Sequence, residues 1–384
     1  MKKKIGIIGS TGSIGKSLIK IIKPKYTDII FLSANKNYKK LFTQAKNFKV
    51  KNLIITDYSS YKNAIKLNNK RFKIFNNFNE LNKFIPNKLD YVMSSITGID
   101  GLLPTLKIIK FTKTIAIANK ETIICAWPII KNELKRNSTK FIPVDSEHFS
   151  LWTEIKNFNL DLIRKIYLTA SGGPLLKHNT KNFNKIDQSY ILKHPKWKMG
   201  KKISVDSATM MNKLFEVMEA KNIFDLRYDQ IDILIHPESY IHALVEYKNG
   251  IFKAVFHDTT MKIPIFNTLY SNNEFNYPKT NINLKKLNNL ELQKVMLSKY
   301  RIIKYLKKLP NKHSLFDTVI IAINDTLVNK YLEKKITFND ISYLFLKFID
   351  DKKYKIYKKM HPKNIHEIIS LNRKIKKNLS VLLS

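Results

Sequence analysis

The chain has 384 residues, of which 44% are hydrophobic and 11% aromatic, so it is long and apolar enough for two or three globular domains and is not a disordered protein. Its 69 Lys and Arg against 30 Asp and Glu give a formal net charge of +39. The lysines are spread along the whole chain and no zinc-finger or RNA-recognition motif accompanies them, which indicates solvated faces and argues against a nucleic-acid-binding protein.

The amino terminus does not have the pattern of a secretory signal. Its first residues, MKKKIGIIGSTGSIGKS, begin with lysines, but glycines and hydroxyl residues interrupt the apolar run and no small-residue cleavage site follows. No apolar run reaches the length of a membrane span, and Cys125 is the only cysteine, so no intrachain disulfide can form. The sequence therefore predicts a cytoplasmic protein with no membrane partner.

The first 145 residues alternate between strand-like and helix-like segments. The strand-like segments are KKIGIIG, IIFLSA, NLIIT, YVMSSI, TIAIANK and KFIPVD, and helical or polar stretches separate them. Such alternation predicts an α/β domain in which crossover helices cover a parallel sheet, the doubly wound arrangement that binds dinucleotides.

A glycine-rich turn follows the first strand. GSTGSIG places Gly9, Gly12 and Gly15 between the strand and the first helix, so that backbone N–H groups can face a pyrophosphate. The spacing is G-x-x-G-x-x-G, and a tight turn without a ligand is the alternative. After the second strand, residues 35–37 read Asn-Lys-Asn, with no acid for a ribose 2′-hydroxyl, and this favours NADP over NAD.

The middle of the chain contains closely spaced acidic residues. If the strand FIPV continues through VDSEH, Asp145 and Glu147 lie on one strand face and can converge on a cation. Further along, we expect Ser207 to cap a helix that places Asn212 and Glu216 on one face, with Lys213 within a turn. Oxygen ligands of this kind favour Mg²⁺ or Mn²⁺ over zinc.

Two loop-like segments lie between these acidic stretches. In TASGGPLL, Ser171 and the two following glycines can present a hydroxyl and N–H groups to a phosphate, although such turns are often structural. HPKWKMGKK contains His194 and Trp197 among lysines and ends at a glycine. A basic loop with an aromatic residue can close over an anionic substrate, so we expect a lid over residues 194–200, although a lone tryptophan is usually part of the core.

The last third of the chain is polar at first and then helical in pattern. SNNEFNYPKTNINLKKLNN reads as a linker, and three amphipathic stretches follow it. The predicted organisation is a nucleotide-binding domain over 1–145, a catalytic metal and substrate domain over 146–272, a linker over 273–292 and a helical domain over 293–384.

Six motifs together resemble one enzyme family. GSTGSIG, ANKE, PVDSEH, SGGP, HPKWKMGKKISVDSATMMNK and HPES occur in the order and spacing of the 1-deoxy-D-xylulose 5-phosphate reductoisomerases, and the resemblance covers nearly the whole chain. It implies an NADPH-dependent enzyme that makes 2-C-methyl-D-erythritol 4-phosphate for isoprenoid synthesis. The implied fold is an N-terminal Rossmann-like parallel-sheet domain, a central α/β catalytic domain and a small helical C-terminal domain, in a homodimer.

The resemblance also implies roles for individual residues. The implied metal ligands for Mn²⁺ or Mg²⁺ are Asp145, Glu147 and Glu216. The implied catalytic residues are Lys120, Glu147, His194 and Lys213. The implied substrate contacts are Lys120, Ser146, Glu147, Ser171, His194, Trp197, Ser207, Asn212, Lys213 and Glu216. The implied cofactor contacts are Thr11, Gly12, Ser13, Ile14, Asn35, Lys36, Asn37, Asn119, Glu121 and Gly200.

The chain departs from the family pattern at four places. Asn35 and Leu214 stand where the family usually has Gly, FSLW follows His148 where the family has a small-Ala-Ile-Phe run, and Asn324-Asp325 replaces Asn-Glu. None of these removes a ligand. Two other interpretations stay open at this point: an NADP oxidoreductase without a metal, and a basic nucleic-acid-binding protein.

Overall fold

The computed structural model describes residues 2–155, 160–180, 183, 186–197, 199–270, 275–278, 281 and 283–383. The strands are β1 (Lys3–Ile8), β2 (Thr27–Ala34), β3 (Asn52–Ile55), β4 (Lys73–Phe75), β5 (Tyr91–Ser94), β6 (Thr114–Ile117), β7 (Lys140–Pro143), β8 (Ile163–Ala170), β9 (Ile231–Ile235), β10 (Ile241–Tyr247), β11 (Phe252–Phe256) and β12 (Gln293–Lys294). The helices are α1 (Ser13–Ile21), α2 (Tyr38–Phe48), α3 (Tyr58–Leu67), α4 (Leu102–Ile109), α5 (Lys120–Arg136), α6 (Ser146–Ile155), α7 (Gln188–Ile191), α8 (Lys201–Ala208), α9 (Met211–Ile223), α10 (Lys262–Leu269), α11 (Leu284–Asn288), α12 (Leu315–Leu332), α13 (Phe338–Ile349), α14 (Lys352–Lys355) and α15 (Ile365–Leu382).

The chain divides into two compact units. The first contains residues 1–122, 128–145 and 261–279, and the second contains residues 123–127, 146–260 and 280–384. The three-domain division remains a prediction. Lys198 of the predicted lid and residues 273, 274, 279, 280 and 282 of the predicted linker lie outside the described residues.

A parallel sheet forms the centre of the first unit. Within the described residues it has seven strands in the order β4-β3-β2-β1-β5-β6-β7, and every pair of neighbours is parallel. The strand order reverses beside β1, which pairs with both β2 and β5. The predicted doubly wound sheet is therefore confirmed, and the predicted nucleotide turn follows β1 at the switch point, where ligands of open α/β sheets bind.

The core of the first unit includes a helix from far along the sequence. Buried residues of β1, β2, β3 and β5 pack with Ile265, Phe266 and Leu269 of α10. The buried Tyr91 hydroxyl of β5 lies 2.9 Å from the Thr268 hydroxyl of α10. Strands that are buried on both faces require apolar residues at consecutive positions, which is why these strands read as unbroken apolar runs.

The second unit combines a mixed sheet with helices. The order of its sheet is β11-β10-β8-β9-β12, in which β8 and β9 are parallel and the other neighbouring pairs are antiparallel. Near the carboxyl terminus, α12 packs against α13 and α15 and is buried on nearly every side. A helix that is buried on nearly every side is a central core helix, so α12 organises the predicted helical region.

The fold also shows where the cysteine lies and whether a described helix could cross a membrane. Cys125, which is the only cysteine of the chain, is fully buried. Among the helices of the described ranges, none has both the length and the apolar content needed to cross a membrane.

Candidate active site

The predicted nucleotide turn lies between β1 and α1. Gly12 precedes the first residue of α1, and no side chain caps this helix. A Cβ on Gly15 would lie 2.5 Å from the Gly9 carbonyl oxygen, so only glycine allows this close approach of turn and helix. Thr11 and Ile14 are half-buried, and Gly12 and Ser13 are exposed. The uncapped N–H groups of the first turn of α1 are suited to an anionic ligand.

The residues predicted to select the cofactor follow β2. Asn35, Lys36 and Asn37 are exposed. The Asn35 amide donates to the Thr56 hydroxyl at 2.9 Å, and Asn37 caps α2 by accepting the Lys40 N–H at 3.2 Å. Only Lys36 among the three has no side-chain hydrogen bond of this kind within the described part of the chain, and it is therefore the residue best placed to meet a phosphate.

Two further lysines stand close together near this position. Repulsion from Lys16 of α1 is the main cause that lowers the pKa of Lys40 in the first turn of α2. Lysines this close together favour an anionic ligand. Sequence reasoning missed this pair because 24 positions separate the two residues and the chain is rich in lysine throughout.

Asn119 and Lys120 begin α5. The buried Asn119 accepts the Thr122 N–H at 2.7 Å and donates its amide to the carbonyls of Ile96 and Gly98, so it ties the helix to the loop after β5. The Lys120 ammonium pairs with the Asp145 carboxylate. Glu121 is nearly buried in the first turn of the helix.

Asp145 and Glu147 do not lie on one strand face, so that prediction is wrong. The strand β7 ends at Pro143, and Ser146 and Glu147 are the first residues of α6. The residues that follow explain the difference, because His148, Leu151 and Ile155 are buried at spacings of three and four, which is the helical period. The Ser146 hydroxyl donates to Glu147 at 2.6 Å.

Lys213 is ion-paired with two carboxylates of the second unit, those of Glu147 and Glu216. Its ammonium lies 2.7 Å from Glu147 Oε1 and also pairs with Glu216 and with the Thr169 carbonyl. Burial alone would lower the pKa of Lys213, but the carboxylates of Glu147 and Glu216 hold that pKa above its ordinary value. The lysine is therefore charged at neutral pH.

The helix that carries Lys213 begins later than the sequence suggested. Ser207 lies inside α8 and does not cap α9, which begins at Met211 after Met210 in a left-handed conformation (φ 65°). The expected cap is therefore wrong, because the chain turns at Met210 and not at Ser207. The expectation that Asn212 and Glu216 share one helix face is confirmed, since Asn212 donates to Glu216 one turn later.

Ser171 and His194 form a hydrogen-bonded pair. The N–H groups of Lys196 and Trp197 donate to His194 Nδ1 at 3.1 and 2.9 Å, so the ring proton is on Nε2, which lies 3.0 Å from the Ser171 hydroxyl oxygen. Burial lowers the pKa of His194 to about 4, so the ring is neutral at pH 7. Ser171 also accepts the Gly173 N–H at 3.1 Å. With two donors at its oxygen, its own hydrogen is directed to a third group.

Trp197 lies against a pair of stacked histidines. Its ring centroid is 6.2 Å from that of the buried His242, edge to face, and His242 stacks on His257 at 3.6 Å. Burial and repulsion by His257 lower the pKa of His242 to about 3, so this pair is neutral at pH 7. Trp197 itself is half-buried, and Gly200 is the exposed residue before α8.

The chain matches models of one protein family along most of its length. Residues 5–127 match the 1-deoxy-D-xylulose 5-phosphate reductoisomerase model, residues 141–224 match the C-terminal domain model of the same enzyme, and residues 257–378 match a second DXP reductoisomerase C-terminal domain.

Curated relatives have the same description. A 1-deoxy-D-xylulose 5-phosphate reductoisomerase of Pelagibacter ubique is 54% identical over 375 residues, which is 96% of this chain and 97% of the relative. The reductoisomerase of a Sulfurihydrogenibium species is 36% identical over 350 residues, 90% of each chain.

Solved structures agree with these relatives. The reductoisomerase from Zymomonas mobilis in complex with NADPH aligns over 100% of both chains with a TM-score of 0.87 and 29% identity. A DOX-P reductoisomerase in complex with NADPH, fosmidomycin and magnesium aligns over 99% of this chain and 98% of its own, with a TM-score of 0.90 and 28% identity.

Proposed function

Because the chain belongs to the 1-deoxy-D-xylulose 5-phosphate reductoisomerase family, we propose that its carboxylates and Lys213 form the metal and substrate site of that reaction. The protein is an NADP-dependent oxidoreductase that converts 1-deoxy-D-xylulose 5-phosphate to 2-C-methyl-D-erythritol 4-phosphate in isoprenoid precursor synthesis, with NADPH and Mg²⁺ or Mn²⁺ as cofactors. The observation that carries the residue assignment is the buried Lys213, which is ion-paired with Glu147 and Glu216.

The proposed metal ligands are Asp145, Glu147 and Glu216. Only one residue separates Asp145 from Glu147, which keeps their Cα atoms within about 7 Å. Lys120 pairs with Asp145, and Lys213 pairs with the other two carboxylates, so each proposed ligand already lies beside a lysine ammonium. A divalent cation can take the place of these ammonium groups, and an all-oxygen set fits Mg²⁺ or Mn²⁺.

The substrate is a hydroxyketone phosphate, and its phosphate needs hydrogen-bond donors. Ser171 fits this role because its oxygen accepts from His194 and Gly173, which leaves its hydrogen to donate to a phosphate oxygen. We propose that Ser207, Asn212 and Lys213 complete the phosphate and hydroxyl contacts, with Ser146 and Lys120 on the sugar. Held at both ends, the fragments formed when the carbon–carbon bond breaks stay in position to rejoin.

The cofactors supply chemistry that these side chains lack. The metal, when bound, polarises the substrate carbonyl, and NADPH supplies hydride to the aldehyde that the rearrangement gives. The chain's own contribution is to hold the substrate oxygens, to keep His194 neutral so that it orients Ser171, and to exclude water beneath Trp197. The proposed cofactor contacts are Thr11, Gly12, Ser13, Ile14, Asn35, Lys36, Asn37, Asn119, Glu121 and Gly200.

One assay tests the whole assignment. NADPH oxidation is measured with 1-deoxy-D-xylulose 5-phosphate, after chelation and after addition of Mg²⁺ or Mn²⁺. We expect turnover only with the metal present, and fosmidomycin, which a related structure binds, should inhibit it. Equal turnover with and without metal would instead favour the metal-free oxidoreductase.

Cofactor selectivity is expected to depend on Lys36. In Lys36→Asp a phosphate partner is replaced by a like charge, so NADPH should bind about 10 to 100 times more weakly while NADH affinity changes little. Calorimetric titration of both dinucleotides measures the ratio. Lys46→Asp, at the other end of the exposed face of α2, is the matched control and should leave the ratio unchanged. A parallel loss for both dinucleotides would remove Lys36 from the 2′-phosphate site.

The lid role of Trp197 has its own prediction. We expect the amides of His194, Lys196 and Trp197 to gain protection from hydrogen exchange when fosmidomycin and a divalent metal bind, since the loop would then close over the ligand. Amides in the buried core of α12 provide the control and should not change. Unchanged protection at residues 194–197 would mean that Trp197 is a structural neighbour of His242 only.

Three further features belong to this proposal. We propose that the protein acts in the cytoplasm, that it forms a homodimer as its family resemblance implies, and that residues 1–145, 146–272 and 293–384 are its functional domains. Sedimentation velocity of the purified chain tests the dimer directly.

A further inference from the structure

A network of three buried acidic and amide side chains with two partly exposed lysines joins three helices of the second unit. The Asn324 amide of α12 donates to Asp206 of α8 at 2.8 Å. Lys202 of α8 lies 2.9 Å from Asp325 of α12 and 3.5 Å from Asp206. Lys376 of α15 lies 2.7 Å from Asp325. None of these five side chains has a role in the proposed chemistry.

The burial of the network makes its geometry specific. Asp206 is 1% exposed, Asn324 is 0% and Asp325 is 7%. Burial would raise the pKa of Asp325, but Lys202 and Lys376 hold it below its ordinary value. Buried carboxylates that stay ionised depend on every partner, so a shift of α8 along α12 would leave charges unpaired. The network therefore fixes the position of α8.

The end of α8 also packs tightly against the predicted phosphate turn. Asp206 directly precedes Ser207, and a Cβ on Gly173 would lie 2.9 Å from the Ser207 carbonyl oxygen. The Gly173 N–H in turn donates to the Ser171 hydroxyl. Ser207 is thus held between the network on one side and the turn with Ser171 on the other, and a small movement of α8 would change the distance between the two serines.

We propose that Asn324 and Asp325 are positioning residues for phosphate recognition: through Asp206 and Lys202 they hold α8 so that Ser207 faces the substrate phosphate together with Ser171. This inference rests on the proposed substrate contact of Ser207. Neither residue touches the substrate itself. Sequence reasoning could not find the network, because Asn324 and Asp206 are 118 positions apart.

The test is Asn324→Leu, which keeps the volume of the side chain and removes the donor. We expect KM for 1-deoxy-D-xylulose 5-phosphate to rise about tenfold or more, because misplacement of a binding group by a fraction of an ångström weakens substrate binding. Competitive inhibition by inorganic phosphate should weaken by the same factor. The value of kcat should change less than KM, and the NADPH dissociation constant should stay the same, since the nucleotide contacts are unaltered.

Asn372→Leu is the matched control. Asn372 of α15 is as buried as Asn324, at 1% exposed, but belongs to no part of this network. Its amide nitrogen has no hydrogen-bond partner among the described residues, so this variant should fold and leave KM and phosphate inhibition unchanged. If Asn324→Leu lowers only thermal stability, with KM and phosphate inhibition unchanged, the positioning role is refuted and the network is structural.

A milder pair covers the case in which Asn324→Leu fails to fold. Lys202 is one-third exposed, so Lys202→Met removes the link to Asp325 with little risk to folding, and Lys202→Arg keeps the charge. We expect Met to raise KM and Arg to restore it. Ser207→Ala separates the substrate contact of Ser207 from the positioning role of Asn324 and Asp325. If Ser207→Ala leaves KM unchanged, the substrate contact itself is wrong. If Ser207→Ala raises KM but Asn324→Leu and Lys202→Met do not, only the positioning role is refuted.

Discussion

Glu216→Gln is expected to lower turnover at a fixed low Mn²⁺ concentration by at least about 100-fold, since even residues that only support a metal ligand cost 10- to 100-fold when changed. The amide keeps the size of the side chain but removes one unit of negative charge from the proposed metal site. Part of the lost activity should return at high Mn²⁺ concentration. Calorimetric titration of NADPH should give the wild-type affinity, because Glu216 belongs to the second unit and the predicted nucleotide turn belongs to the first.

Glu219→Gln is the matched control for this variant. Glu219 lies one turn further along the same helix, is equally buried and faces His148 Nδ1 at 3.4 Å. Its metal titration should follow that of the wild type. If Glu219→Gln loses metal dependence and Glu216→Gln does not, the ligand has been assigned to the wrong turn of α9.

Lys213→Met is expected to have a large effect on stability as well as on turnover. In the absence of metal, the ammonium compensates Glu147 and Glu216, and its removal leaves two carboxylates close together with little solvent. Breaking a buried ion pair by removing one partner costs about 3–5 kcal/mol. We therefore expect the free energy of unfolding in EDTA to fall by about that amount, and added Mn²⁺ to restore part of it.

Denaturant unfolding with and without Mn²⁺ measures this effect. Lys221→Met, on the same helix but half-buried and next to Asn222 at 3.4 Å, should change stability by no more than about 1 kcal/mol. If Mn²⁺ does not restore the stability lost in Lys213→Met, the lysine supports the core, and a cation cannot replace its ammonium beside Glu147 and Glu216.

The sequence predicted the elements that depend on local pattern. The strands of the first unit are apolar runs between turns, and the glycines after β1 mark a strand–helix turn, so both could be read without a structure. The family motifs supplied the proposed ligands. Ser171 and His194 are 23 positions apart in the sequence, and the family motifs identified both of them. The motifs could not show which ring nitrogen of His194 carries the proton, because that follows from the Trp197 N–H, which donates to Nδ1.

The two wrong predictions, the strand face of Asp145 and Glu147 and the helix cap at Ser207, arose where a short local pattern disagrees with the surrounding structure. PVDSEH alternates like a strand over four residues. The apolar spacing that makes this segment a helix lies further on, at Leu151 and Ile155. At Ser207 a good capping residue lies inside a helix, because tertiary contacts on both sides of α8 outweigh its local preference. Such contacts join residues more than 100 positions apart, and a single sequence gives no signal for them.

The place of α10 in the first unit has a consequence for synthesis on the ribosome. Residues 1–145 emerge first, yet the hydroxyl that meets Tyr91 is on Thr268, and the apolar surface beneath α10 stays open until that helix arrives. Translation at about 5–20 residues per second separates residue 145 from residue 262 by roughly 6 to 23 s. During this interval the nascent sheet carries exposed apolar side chains, so a chaperone that binds nascent chains is expected to associate with this protein until residue 270 has emerged.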